Sequence, residues 1–383
     1  MRRKDSVLRD VLQFVPWGAF ERSVERHGSD AGVRRLSCKS HFVSLLHAQL
    51  SGATSLRQIS ACLASHEARL YHLGVRSPRR STLADANARR PAAVFTELAG
   101  VVMRQATPQL RRHAREATLL LDASVIPLHA LSRDWAPAKK GPGAEAKLHL
   151  VHDAKSGMPV QFDVTPARVN DIVHAKTLSP STGATYVFDL GYYDFGWWRR
   201  LADSGCRFVT RLKSHTKPKV LENRPVPADG AIKADRIIHI DWRLKRSRDN
   251  PLACLPLREV VVEIATGKRL RIVSNDVTAP AEEIADLYKT RWQIELVFRW
   301  LKQNLQISKF IGTSENAVRT QIAIAIIAYL LMRIAHAAQK AVPSLLTFIR
   351  LVADNLMQTR SINALLKPPP DPPHNSLQTE MAI

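Results

Sequence analysis

The chain has 383 residues, 45% hydrophobic and 23% charged, enough for two or three globular domains with a sizeable core. Its net charge of +22 points to a polyanionic partner, nucleic acid first, although a ribosomal or membrane-surface protein shares that signature. Cys38, Cys62, Cys206 and Cys254 have neither zinc nor redox spacing, no apolar segment follows the charged start, and the longest apolar run, 322–332, is too short for a bilayer. These features argue against a disulfide scaffold, a zinc module, a secreted chain and a membrane span, and the expected location is the cytoplasm, at the nucleoid.

In chain order, residues 1–110 read as helices. "SHFVSLLHAQLSGATSLRQISACLA" has helical periodicity broken at "SGATS", and "SPRRSTLADANARRPAAVFTELAGVVMRQA" offers Ser81 as a cap and Pro91 as an interruption. This arginine-rich segment is a candidate DNA-binding module of the helix-turn-helix kind. The texture then changes. "ATLLLDASVIPL" is a strand, and "KLHLVHDAKSGMPVQFDV" is two strands about a turn at Asp153. A helix over 169–178, a strand at "TYVFDLGYYDF", a helix at "WWRRLADSG" and a strand at "RFVTRLK" follow. Short turns make the first three strands antiparallel, and helical crossovers make the later ones parallel. That order predicts a mixed α/β, ribonuclease-H-like core. Residues 214–278 read as a β-rich insertion. One long helix, "APAEEIADLYKTRWQIELVFRWLKQNLQ", then opens the second part of the core at 279–345. Residues 346–383 should hold a further helix and a disordered, proline-rich tail.

Two acids stand out. Asp122 in "LLLDASV" and Asp189 in "YVFDLGY" each place a charge in an apolar strand, which is costly unless something binds it. In such a fold their strands are neighbours, and a helix across the sheet brings Glu295 to the same point. Three oxygen donors without Cys or His suit Mg²⁺ or Mn²⁺, and two such ions can activate an oxygen and stabilise the leaving one in phosphodiester chemistry. Asp171 reads as capping or charging the start of its helix, Asp163 and Asp194 have no assigned role, and His129, His149, His152 and His174 read as structural or exposed.

The long helix sets Tyr288, Arg291, Glu295 and Lys302 within an arc of about 60°, beside an apolar stripe of Ile284, Leu287, Ile294, Val297, Phe298, Leu301 and Leu305. An ordinary solvated face with charge pairs gives the same pattern.

This Tyr-Arg-Glu-Lys spacing resembles the signature of the insertion-sequence-four family of DDE transposases. "LLLDASVI" and "FDLGYYDF" are similar to the segments around that family's first two acids, and residues 12–59 resemble the helical domain that precedes the catalytic part in one branch. The resemblance implies cut-and-paste transposition: binding of terminal inverted repeats, cleavage at element ends, and joining of 3′-hydroxyls to target DNA. Asp122, Asp189 and Glu295 would hold two Mg²⁺ (or Mn²⁺) ions, and Tyr288, Arg291 and Lys302 would hold DNA phosphates. Trp242 in the insertion would be a platform for a flipped base. The partners are double-stranded DNA at the element ends and the target, with a homodimer in the complex and no membrane. Two alternatives remain open: a structure-specific nuclease of the same fold, and a non-catalytic repressor derived from a transposase.

Overall fold

The computed structural model describes residues 6–108, 114–227, 229–240, 250–253, 255–304 and 310–366. Trp242, Cys254, Leu305 and the proline-rich tail lie outside them. Seven helices come first: α1 (Val7–Leu12), α2 (Trp17–Arg26), α3 (Cys38–Ser51), α4 (Leu56–Ser65), α5 (Glu67–His72), α6 (Arg80–Arg89) and α7 (Ala93–Ala106). Serine hydroxyls start three of them, Ser6, Ser37 and Ser55 each accepting from the amide of the third residue onward. Gly52, at φ 71°, stops α3, which accounts for the break at "SGATS". Pro91 separates α6 from α7. Ser81 is not the α6 cap: Arg79 is the extended residue there, and the helix begins at Arg80.

Nine strands form one sheet in the order β3-β2-β1-β4-β5-β9-β8-β7-β6. They are β1 (Thr118–Leu128), β2 (Ala144–Asp153), β3 (Met158–Pro166), β4 (Thr185–Phe188), β5 (Arg207–Arg211), β6 (Lys219–Arg224), β7 (Ile232–His239), β8 (Leu257–Glu263) and β9 (Arg269–Ser274). β1, β2 and β3 pair antiparallel, whereas β4 runs parallel to both β1 and β5, as the connection lengths require. The crossovers carry α8 (Asp171–Ala175), five residues long rather than ten, and α9 (Phe195–Asp203). The insertion strands prolong the core sheet, because β9 hydrogen-bonds antiparallel to β5. Inside the insertion, Arg258 and Asp235 form a two-pronged pair at 2.5 and 2.6 Å, with side chains only 4% and 5% exposed.

The sheet has two apolar faces. Leu119, Leu121, Tyr186, Phe188 and Phe208 pack with Trp197, Trp198 and Leu201 of α9. Leu120, Ile126, Val187 and Val209 share the other core with the N-terminal helices and three later ones: α10 (Ala281–Thr290), α11 (Trp292–Asn304) and α12 (Glu315–Ala337). α12 has 23 residues, twice the apolar run that marks it, and by length and composition it could cross a membrane; here 78% of its apolar window is inside the protein. α13 (Leu345–Asn355) and α14 (Ile362–Leu365) close the described chain.

The long helix read at 279–306 is, over 281–304, two helices that meet at Arg291. The Arg291 amide reaches back only three residues, to Tyr288 O, and the Thr290 hydroxyl takes the Leu287 carbonyl at 2.6 Å. That local bond tightens the turn and competes with the regular ladder.

Candidate active site

β1 and β4 run in register with Leu121 beside Phe188, so the next residues, Asp122 and Asp189, stand side by side where β4 ends. Alternation puts both on the face of Leu120 and Val187, the one that α11 covers. α11 docks by Ile294, Val297, Phe298 and Leu301, all buried, and this brings Glu295 near enough for its charge to act on Asp122. Small local bonds fix the two aspartates: Asp122 Oδ1 accepts from the Ala123 amide at 2.8 Å, and Asp189 Oδ1 from the Gly191 amide at 2.7 Å.

Electrostatics register the convergence. Burial pushes the Asp122 carboxyl up to about 7, and the nearby charges of Asp189 and Glu295 push the same way. The Ala123 amide and the Arg291 guanidinium oppose them. Arg291 lies between two of the acids, 2.6 Å from Glu295 Oε1 and 3.8 Å from Asp122 Oδ2. Its Nε is buried and has no hydrogen-bond partner among the described residues.

Of the other signature residues, Tyr288 is buried in the core rather than set on an open face, and burial raises its hydroxyl pKa. Arg291 sits against its ring at 5.8 Å. Lys302 is exposed, two turns further along α11. The bend at Arg291 therefore breaks the single line of four that an unbroken helix implies: Tyr288 faces inward, and Arg291, Glu295 and Lys302 remain outside the apolar stripe.

Residues with no assigned place in the sequence reading also border the site. Arg211 ends β5, on the same face as Val209, with its guanidinium close to Tyr288. Its Nε is buried and has no partner among the described residues. The signal was available, since an arginine in the strand "RFVTR" poses the same problem as Asp122 in "LLLDASV". Trp292, beside Arg291, is 51% exposed and borders a largely apolar groove of about 700 Å³ shared with Tyr288, Ile272 and Ala285. On the opposite face, buried Lys147 donates to Asp171 Oδ1 and to Val169 O, both at 2.7 Å. Asn170, not Asp171, is the cap of α8. Gly191 separates Asp171 from Asp189: a Cβ there would lie 2.9 Å from Asp171 Oδ2 and 3.0 Å from Asp189 Oδ1.

The remaining acids have structural partners. Asp194 caps α9 through the Trp197 amide, Asp163 pairs with His174 and Arg319, and Asp153 shapes the β2–β3 turn by accepting from Ser156. His149 and His152 are buried in the fold.

Three carboxylates with no thiolate or imidazole among them make a donor set for a hard divalent cation, and such an ion would offset the burial and the like charges that raise Asp122. Among the described residues no three acidic, histidine or cysteine side chains stand close enough to share a metal as placed. Arg291 fills the space between Glu295 and Asp122, and its guanidinium would have to turn aside for the acids to close on an ion.

A mixed sheet with two acids at adjoining strand ends, and a third carboxylate nearby on a later helix, is an arrangement suited to phosphodiester chemistry. Residues 113–331 match the family described as Transposase DDE domain, and residues 3–76 match a domain of unknown function (DUF4372). The chain belongs to the DDE transposase family, enzymes that cut and transfer DNA. It is 42% identical over 299 residues to the transposase y4zB of Sinorhizobium fredii, covering 78% of this chain and 83% of that one. It is 28% identical over 247 residues to a transposase for insertion sequence element IS5377 of Geobacillus stearothermophilus, covering 63% of each. Among solved structures, the piggyBac transposase in a synaptic complex with hairpin DNA aligns with a TM-score of 0.45 at 11% identity, over 95% of this chain and 82% of that one.

Proposed function

We propose that this chain is the transposase of a bacterial insertion sequence, cleaving DNA at the element ends and joining the freed 3′-hydroxyls to target DNA. The observation that carries the reading is the placing of Asp122 and Asp189 at adjoining strand ends, with Glu295 near them across the half-buried Arg291. In this reading the three acids hold the divalent ions, Mg²⁺ or Mn²⁺, two to a site. When bound, the metal supplies Lewis acidity at the attacking and leaving oxygens.

The side chains do the remaining work by position. Asp189, tied to the Gly191 amide, keeps its second oxygen free for the site. Arg291 exchanges a carboxylate for a phosphate: its fork leaves Glu295 and Asp122 and grips the DNA backbone, which frees both acids at the moment substrate arrives. Arg211 reaches the same phosphate region from β5, and Tyr288 fixes the spacing of the two arginines from within the core. Lys302 meets the backbone further out as a point charge. Trp292 is exposed where an unstacked base would need a ring. Residues 1–110 bind the terminal repeats, 115–213 and 279–345 form the catalytic core with 214–278 inserted, and two copies act on two ends.

The test is a purified-protein assay on a duplex carrying the element's own terminus, with and without Mg²⁺. Metal-dependent nicking followed by joined product, both abolished by Glu295→Gln, is the expected result. Nicking without joining would make the chain a nuclease; binding without nicking would make it a repressor.

A further inference from the structure

A second basic surface lies in the helical part, away from the acids. The segment 27–36 after α2 and one side of α6, marked by Thr82, Asp85 and Arg89, wall a cleft of about 870 Å³. Spacings of three and four put those α6 residues on one side of the helix. The walls are stapled beneath by Arg90, which is almost fully buried: it donates to the carbonyls of Leu36 and Ser37 and lies 3.5 Å from Asp30 Oδ1. Asp30 in turn accepts from the Cys38 amide at 2.7 Å, at the start of α3. The cleft is therefore preformed, and the Arg90 charge is consumed in holding it.

Arg34, Arg35 and Arg89 are in the opposite condition. All three line the cleft and are exposed, and among the described residues none has an ion pair or hydrogen bond. Asp85 is the one exposed carboxylate in the lining. Three free guanidiniums against one carboxylate, on a rigid frame, form a surface for a string of anions rather than for a single ion. Planar forks suit phosphodiester oxygens, approached from two sides.

We infer that this cleft binds the sugar–phosphate backbone of duplex DNA, at a place separate from the acidic site. The inference rests on reading the chain as an enzyme that acts on DNA, and it assigns a role to a surface that straddles the end of the 3–76 match and continues beyond it on α6.

The experiment uses the full-length chain and a 5′-labelled duplex of about 30 base pairs of arbitrary sequence, followed by anisotropy across a salt series. Each lost phosphate contact should flatten the slope of log K against log salt by about 0.9. Arg34→Gln/Arg35→Gln/Arg89→Gln should therefore lower the slope by about 2 to 3, with unchanged circular dichroism and melting temperature, because all three side chains are exposed. The triple lysine variant should keep most of the slope, and Asp85→Asn should tighten binding. A triple glutamine variant that folds and keeps the wild-type slope overturns the inference, even if it loses affinity for a polyglutamate probe; that result would make the cleft a site for an acidic protein. Cleavage of end DNA by the wild-type chain separates this from the catalytic reading: if wild type never cuts yet the triple glutamine variant shows the slope change, the cleft stands and the enzyme reading falls, and if wild type cuts while the slope is unchanged, the reverse holds.

Discussion

Arg258 and Arg291 are both arginines set against carboxylates, and they differ in what each leaves unmet. Arg258 meets Asp235 with two nitrogens, gives a third bond to the Val277 carbonyl at 2.9 Å, and is sealed from solvent. Arg291 touches two acids unequally, keeps a buried Nε without a partner among the described residues, and sits beside a carboxyl raised to about 7. One cluster is complete in the folded chain. The other holds its charges in an arrangement that a cation and a phosphate would improve. Completeness separates a structural ion pair from a functional one better than charge or burial alone.

The comparison can be broken most directly at the acids. Asp122→Asn, Asp189→Asn and Glu295→Gln should each lower DNA cleavage by about 10³-fold or more, on the scale of removing a preorganised charge-stabilising group, while the melting temperature stays level or rises. A destabilised, active variant at any of these positions would remove that residue from the site. Arg258→Ala should do the converse. Leaving Asp235 buried and unpaired costs about 3–5 kcal/mol, seen as a large fall in melting temperature, with the remaining folded protein cutting DNA at a near-normal rate per folded molecule.

Arg291→Lys should fall between these. It keeps the charge but loses the fork, so cleavage should drop about 10- to 100-fold, the range for groups that orient a reactive centre, with little change in stability. The smallest effect concerns protons. The Asp122 carboxyl is raised from 3.8 to about 7 in the fold, so its contribution to stability is fully present below the unfolded value and is lost as pH rises through about 7. Melting curves of the metal-free chain between about pH 5 and pH 8 should show wild type losing ground to Asp122→Asn as pH increases. Parallel curves would mean that the carboxyl is not raised.

Much of this was legible in the sequence where one residue contradicts its surroundings. A lone acid in "LLLDASV" or "YVFDLGY" identifies itself, and strand order then makes the two acids neighbours. The same logic would have found Arg211, had it been applied to cations as well as acids. The break at Arg291 was hidden because a threonine hydroxyl bond in the preceding turn leaves no mark on apolar periodicity. Tyr288 was misplaced for the same reason: a helical wheel assumes one axis, and the chain has two. The Lys147–Asp171 pair and the N-terminal cleft depend on contacts between segments 24 to 54 residues apart, which no local pattern encodes.

The single sheet has a mechanical consequence. Because β9 is hydrogen-bonded to β5, and β5 to β4, the insertion is welded to the strand that ends at Asp189 and has no hinge at that seam. Load applied at the outer strand of the insertion by bent DNA would reach the second acid through five adjoining ladders without passing through a loop. Excising residues 214–278 would do more than shorten the protein: it would bare the edge of β5, leaving unpaired backbone donors and acceptors at Val209 to Arg211 open to any passing strand. A minimal core trimmed in that way would be expected to stick to its own copies before it could be assayed.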